Sequence, residues 1–447
     1  MQTLTSMFAA AVAAHPDRPF FVTPDESLSY AEFDRRACQV AAVLEAQGAA
    51  KGRPVGILLP SRLDLALTYW GAQKVGAVAV PLNPMFRAPE IASAVSITDM
   101  KVLVTDAVGM EQVALLENRP PNVLRWARGE SGVPIDGPVT NIEPRAAAAP
   151  KTFESAPCKP ADPVCMFFTS GTTGRPKAVV QTQLSQLSAL TAMFVHNRLR
   201  YGSEVVLNVM PLFNNFGASG IMLACVFSGA TMVLLERWDC DVALDLITEH
   251  RVTMLLGPPT TYVDLCEQFD PTRHDLSHVR TAITAGAGAP PALVDRFRAL
   301  TGVRLSQIYG ATETSGIVTG EPHAGRARPG SIGQLVGLVE VKILDDEGQP
   351  VPTGEFVIAG DAVSPGYFAD PEAQSAHTRE GWRSGDIGYV DEDGYYYLVD
   401  RKKDMVICGG NNVYPAEVEA VIAGHRSVAT CSVVGIPTRG GGRCPSR

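Results

Sequence analysis

Nine cysteines run from Cys38 to Cys444, yet no two stand in Cys-x-x-Cys spacing. That leaves no basis for a zinc ribbon or a disulfide framework and fits a reducing compartment, the cytoplasm. Positive charge is also short. The net charge is −9, and no Lys/Arg cluster marks a nucleic-acid surface. An anionic ligand must therefore be held by local loops and a metal. The apolar start at residues 7–14 could pass for a signal-peptide core, but it has no basic flank and runs straight into His15-Pro16-Asp17-Arg18-Pro19, so it reads as a short amphipathic helix. Long uncharged runs are scarce. Residues 216–235 form one, but it contains Gly217, Ser219, Gly220, Ser228, Gly229 and Thr231. Gly229 divides it into a buried helix and a strand at 231–235, which is core rather than a membrane span. Neither an internal repeat nor a low-complexity tract is present.

What is there is an ordinary globular composition, 46% hydrophobic and 19% charged over 447 residues, long enough for about three units of roughly 150 residues. Phe33, Ala37, Val40, Ala41 and Leu44 recur at helical spacing before Gly48, which predicts a helix over 31–47. Strands at 55–60, 77–81 and 101–105 alternate with helices near 63–75 and Ile91. The alternation resumes from Pro163, with strands at 205–210, 231–235, 252–256, 281–284 and 303–308. This pattern predicts parallel, doubly wound sheets. Residues 131–162, rich in Pro, Ala, Ser and Gly, read as a linker or surface excursion. After Gly330, turn signals such as Asp391-Glu392-Asp393-Gly394 punctuate short strands. The expected fold is α/β: two doubly wound layered subdomains, at about 1–160 and 163–328, and a small β-rich part at about 329–400. Together they form a large N-terminal domain over 1–402, with a partial α+β domain at 403–447.

One stretch organises the chemistry. Thr169-Ser170-Gly171-Thr172-Thr173-Gly174-Arg175-Pro176-Lys177 follows the apolar run at 164–168. Its glycines, hydroxyls and lysine suit a loop that wraps phosphate oxygens. It is not a Walker A loop, because Arg175-Pro176 separates Gly174 from Lys177. A Gly/Ser/Thr-rich surface turn has the same composition. Gly286-Ala287-Gly288-Ala289-Pro290 lets a flat ring approach the backbone, or is simply a tight strand-to-helix turn. In Tyr309-Gly310-Ala311-Thr312-Glu313, a ring can stack on a purine, a hydroxyl can bond phosphate and a carboxylate can hold Mg²⁺. Asp386, in Trp382-Arg383-Ser384-Gly385-Asp386, suits two vicinal ribose hydroxyls, and Arg401 can add a fork to ribose or phosphate. Singly, these last two are equally a turn aspartate and a surface ion pair.

Taken in order across 169–404, the four motifs resemble the adenylate-forming (AMP-binding) superfamily. The run from Asp400 through Lys403 and Gly409-Gly410-Asn411-Asn412 looks most like its acyl-CoA synthetase, or fatty acid–CoA ligase, branch. The resemblance implies that Thr169 to Gly174 and Lys177 cover the ATP phosphates. Gly288, Ala289, Pro290, Tyr309 and Gly310 would form the adenine pocket, and Thr312 would touch the α-phosphate. Glu313 would ligate Mg²⁺, Asp386 and Arg401 would clamp ribose, and Lys403 would be the hinge. Phe213, Asn214 and Gly217 would line the acyl pocket and thiol tunnel, with Gly409 and Gly410 on the coenzyme A side. The implied reaction is ATP-dependent activation of a hydrophobic fatty or aryl acid, then transfer to coenzyme A. A carrier-protein thiol as acceptor and a non-catalytic nucleotide-binding remnant are the alternatives. A homo-oligomer stays open.

Two departures stand out. Asn214 occupies the position after Pro-Leu-Phe where the family commonly has histidine, which puts gating and acyl preference in question. No lysine follows Lys403, whereas the family's C-terminal domain carries one that neutralises charge during adenylation. The expectation is a truncated or frame-shifted C-terminal domain, tested by resequencing, with adenylation slowed about 100- to 1000-fold and ATP binding retained.

Overall fold

The computed structural model describes residues 2–127, 139–170, 176–322 and 328–403, then 406–408, 411–413, 415–423, 428, 431–437 and 443–446. Two large sheets organise the chain, one of thirteen strands and one of eight. The expected mixed α/β architecture is present, and most of the sequence-derived elements fall within a residue or two of their predicted bounds. Tyr30–Ala46, Leu63–Val75 and Ala88–Thr98 are helices, while Pro54–Leu58, Val78–Pro81 and Val102–Thr105 are parallel strands.

The helix Leu63–Val75 is buried along its whole length, Asp64, Thr68, Gln73 and Lys74 included. Two of its polar side chains are paired: Lys74 Nζ with Asp34 at 2.7 Å, and Gln73, which donates to the Val164 carbonyl at 2.8 Å. The N-terminal helix Leu4–Ala14 buries Leu4, Met7, Phe8 and Ala11. There Phe8 packs on Phe20, Phe33 and Trp70 with centroids 4.5–6.0 Å apart, close to the separations aromatic pairs prefer. Residues 216–228 are helical, Gly229 takes φ 65° as the cap, and Thr231–Leu234 is a buried strand. Among the described residues no helix is long and apolar enough to cross a membrane.

The topology corrects four sequence expectations. The phosphate-loop hairpin, Pro163–Ser170 with Pro176–Thr182, joins the eight-stranded sheet through Ala79↔Cys165 rather than the second layered unit. Conversely, Pro19–Val22 and Ser27–Ser29 form an edge of the thirteen-stranded sheet. Strand periodicity reports which residues are buried, not which neighbour they pair with, so sheet membership was not readable. The β-rich part is likewise not a separate sheet: Ser331–Leu335 pairs with both Gly316–Gly320 and Tyr396–Arg401 and makes it continuous with the larger one. Within the supposed linker, Val139–Asn141 is a strand and Ile142–Ala148 a helix, both too short to leave a periodic signature. Further along the chain, Val434–Pro437 pairs antiparallel with Arg443–Ser446.

Candidate functional site

Five adjacent parallel strands, Thr231–Leu234, Val205–Asn208, Met254–Gly257, Thr281–Thr284 and Leu305–Ala311, carry the site at their carboxyl ends, where open α/β sheets hold ligands. Thr284 lies opposite Gln307, so the turn Gly286–Pro290 emerges beside Tyr309. Gln307 ties the two together, since its Oε1 accepts the Ala289 N–H at 3.1 Å. Gly288 is exposed, and a Cβ built there would meet nothing within 4 Å. The turn thus offers open backbone to a flat ring.

Tyr309 projects toward the antiparallel extension of the sheet. Its hydroxyl donates to Asp386 Oδ2 at 2.7 Å, and Arg401, directly opposite Asp386 in the strand pairing, places Nε 3.4 Å from Oδ1. Burial pushes the Asp386 carboxyl above its usual range, opposed by the Tyr309 hydrogen bond and by the Arg401 and Lys403 charges. The Asp386 side chain is 14% exposed and that of Arg401 63%, so the acid is fixed while the guanidinium reaches into solvent. Gly385 takes φ 76°, which a side chain would resist. Its N–H donates to Glu355 Oε1 at 3.0 Å, and Glu355 also holds Arg383 Nε at 2.9 Å and Lys402 Nζ at 3.2 Å.

Thr312 and Glu313 follow the last parallel strand in a single tight turn, Thr312–Thr314. The Thr312 carbonyl accepts from Gln181 Nε2 at 2.8 Å, and the same amide donates to Asn215 Oδ1 at 2.9 Å. Gln181 lies on the second hairpin strand, so one side chain joins flap, turn and helix. Glu313 is buried, its Oε1 accepting the Tyr367 hydroxyl at 2.8 Å. Burial raises its carboxyl above the usual range. The Tyr367 bond opposes that shift, the Asp386 charge adds to it and the Lys177 charge relieves it. Lys177 pairs across the hairpin with Thr169, and its Nζ lies 5.6 Å from the centre of the Tyr367 ring.

Phe213 and Asn214 lead into the π-helical segment Phe216–Leu223, which contains Gly217; such segments occur frequently at functional sites. Asn214 Oδ1 accepts the Gly217 N–H at 3.0 Å, so this side chain braces the first turn of the segment. A Cβ on Gly217 would lie 2.2 Å from the Pro211 carbonyl oxygen. Only glycine permits this close approach.

The structure thus brings together Lys177, Tyr309, Thr312, Glu313, Asp386, Arg401 and Lys403. Gly171 to Arg175, Gly409 and Gly410 lie outside the described residues. Gln181, Gln307, Glu355 and Tyr367 were missed. Their faint signals are a lone acid at the head of the apolar run Glu355–Ile358 and a tyrosine after Pro365-Gly366.

A family model described as "AMP-binding enzyme" matches residues 8–368. A long-chain-fatty-acid–CoA ligase of Bacillus subtilis strain 168 is 29% identical over 466 residues, spanning 98% of this chain and 83% of the relative. A feruloyl-CoA synthase of an Amycolatopsis species is 33% identical over 419 residues, spanning 92% of this chain and 81% of its own. Among solved structures, an anthranilate CoA ligase in complex with anthranoyl-AMP superposes with a TM-score of 0.88 at 26% identity, covering 98% of this chain and 85% of that one. With a match of that extent over a site of that geometry, the chain belongs to the family of AMP-binding, adenylate-forming enzymes.

Proposed function

We propose that this protein is an acid–thiol ligase that activates a hydrophobic fatty or aryl carboxylic acid with ATP and passes the acyl group to coenzyme A. In the first half-reaction a carboxylate oxygen bonds to the α-phosphorus as the bond to pyrophosphate breaks. In the second, the coenzyme A sulfur bonds to the acyl carbon, AMP leaves and the thiol proton is released. The observation that carries this reading is the convergence on Asp386: a carboxylate steadied by Tyr309 at 2.7 Å and faced by Arg401, in the same electrostatic field as Glu313.

In this assignment the adenine lies over Gly288-Ala289-Pro290 against Tyr309 and Gly310. The ribose hydroxyls donate to Asp386, which is acceptor-only when ionised, and Arg401 closes over them. Thr169 to Gly174 and Lys177 cover the phosphates, with the Thr312 hydroxyl on the α-phosphate. Glu313 suits Mg²⁺. It is one buried carboxylate, and no group of three or more His, Cys, Asp or Glu side chains capable of holding a metal occurs among the described residues. Such a site matches a cation completed by substrate phosphates rather than a protein cage. Bound there, Mg²⁺ would neutralise phosphate charge. Phe213, Asn214 and Gly217 would border the acyl group and the thiol path. Lys403 would be the pivot for the segment bearing Gly409 and Gly410. The carbon chains in the names of the relatives, long-chain fatty acid and ferulate, agree with the apolar helix Phe216–Leu223 in favouring an apolar acid.

Pyrophosphate release with a panel of acids, with and without coenzyme A, tests the reading. Acid-dependent release together with coenzyme A-dependent AMP formation is expected. Retained acyl-AMP indifferent to coenzyme A would point to a carrier thiol, and ATP binding without turnover to a nucleotide-binding protein only.

A further inference from the structure

Nothing in the motifs selects Tyr367, yet it touches both groups assigned to the phosphates. Its hydroxyl donates to Glu313 Oε1 at 2.8 Å. Its ring lies 5.6 Å from Lys177 Nζ, within the reach at which an ammonium is attracted to an aromatic face. The residue is itself tightly placed. It sits on the short strand Gly366–Tyr367, antiparallel to the hairpin through Gly366↔Val180 and Tyr367↔Val179. Its N–H donates to Gln374 Oε1 at 2.9 Å, and the next N–H, on Phe368, donates to the Ala178 carbonyl at 2.8 Å. His377 meets the ring edge-on at 5.5 Å and 82°. The Glu313 turn is tied to the same segment, since Ser364 N–H donates to the Glu313 carbonyl at 2.7 Å.

These contacts join two sheets. Glu313 follows the last parallel strand of the larger one, and Lys177 belongs to the hairpin of the smaller. A phenol is the side chain that serves both: the hydroxyl directs one carboxylate oxygen and leaves the other to face a cation, while the ring holds an ammonium without cancelling its charge. A lysine here would repel Lys177, and a carboxylate would compete with phosphate for it.

We propose that Tyr367 is the positioning residue for metal-bound ATP, aiming the Glu313 carboxylate at the cation and seating Lys177 so that both reach one triphosphate in fixed register. The proposal rests on the ATP-dependent reading above. Tyr367→Phe separates the two roles, since it removes the hydroxyl and keeps the ring, and Tyr367→Leu removes both.

Calorimetric binding of ATP to the full chain, with and without Mg²⁺, is the test. Wild-type protein should bind ATP more tightly with Mg²⁺. In Tyr367→Phe that metal-dependent gain should fall about tenfold, the size of one lost hydrogen bond to a charged group, with metal-free affinity unchanged. Tyr367→Leu should also weaken metal-free binding about threefold, the size of an exposed cation–π contact. An undiminished Mg²⁺ gain in Tyr367→Phe, or equal metal-free affinities in the two variants, would overturn the proposal alone. Wild-type protein that binds no ATP would overturn the nucleotide reading and this proposal with it.

Discussion

Asp386 and Glu313 are both carboxylates held above their usual titration range by burial, and both accept a tyrosine hydroxyl, at 2.7 and 2.8 Å. Their supports differ. Asp386 sits in a strand of the larger sheet; Tyr309 comes from another strand of that sheet, and Arg401 is its directly paired neighbour. Glu313 sits in a tight turn after the last parallel strand, and its partner Tyr367 comes from the edge of the other sheet. The end of the candidate site proposed for ribose is therefore built within one sheet, whereas the end proposed for the metal lies where two sheets meet. Any change that loosens the contact between sheets should be felt at Glu313 before Asp386.

The comparison can be sharpened by unequal losses. Glu313→Gln should lower acid-dependent pyrophosphate release about 100- to 1000-fold, as removal of one group that stabilises developing charge does; a loss under tenfold would move the metal contact elsewhere. Asp386→Ala should act on binding instead, raising the KM for ATP roughly 10- to 100-fold, the cost of lost hydrogen bonds to a charged acceptor, with a smaller change in kcat. Next comes Glu355→Ala, which strips the acceptor from Gly385 N–H and the buried partner from Arg383. It should cost about 2 kcal/mol in urea denaturation, below the value for a fully buried pair because Arg383 and Lys402 are partly exposed. Arg401→Ala removes a mostly exposed ion partner and should cost at most about 1 kcal/mol of stability, seen as little or no shift in the same unfolding curve.

The smallest expected effect concerns pH. Because burial raises the Glu313 carboxyl in the folded state, the native protein holds that proton more tightly than the unfolded chain does. Its contribution to stability is complete below the ordinary carboxylate value and is lost as pH rises through the raised one. The ligand-free Glu313→Gln protein should therefore melt at most about 1 °C above wild type at neutral pH, with the gap closing in acid. A constant gap across pH would assign the effect to packing.

Several of the residues that the structure brings together could be named before any coordinates. Asp386 and Arg401 each stand in a short, distinctive string, and their spacing survives because the two strands are consecutive and antiparallel. Tyr309 was expected to stack on a purine. Its hydroxyl bond to Asp386 was not foreseen, because a pairing over that sequence distance leaves no local pattern. The bond of Asn214 to the helix Phe216–Leu223 has the same character: the residue was singled out, but only the structure shows its side chain accepting the Gly217 N–H.

Alone, the sequence determined the α/β alternation, the burial of residues 216–235 as core and the strings that resemble nucleotide-binding motifs, since each depends on near-neighbour periodicity or on residue chemistry within a few positions. Only the tertiary structure decided that the phosphate-loop hairpin joins the smaller sheet, that the β-rich strands extend the larger one and that Tyr367 spans Glu313 and Lys177. Those outcomes depend on which strand edges meet and at what register, and apolar strands of similar length present nearly equivalent edges until the whole chain is packed.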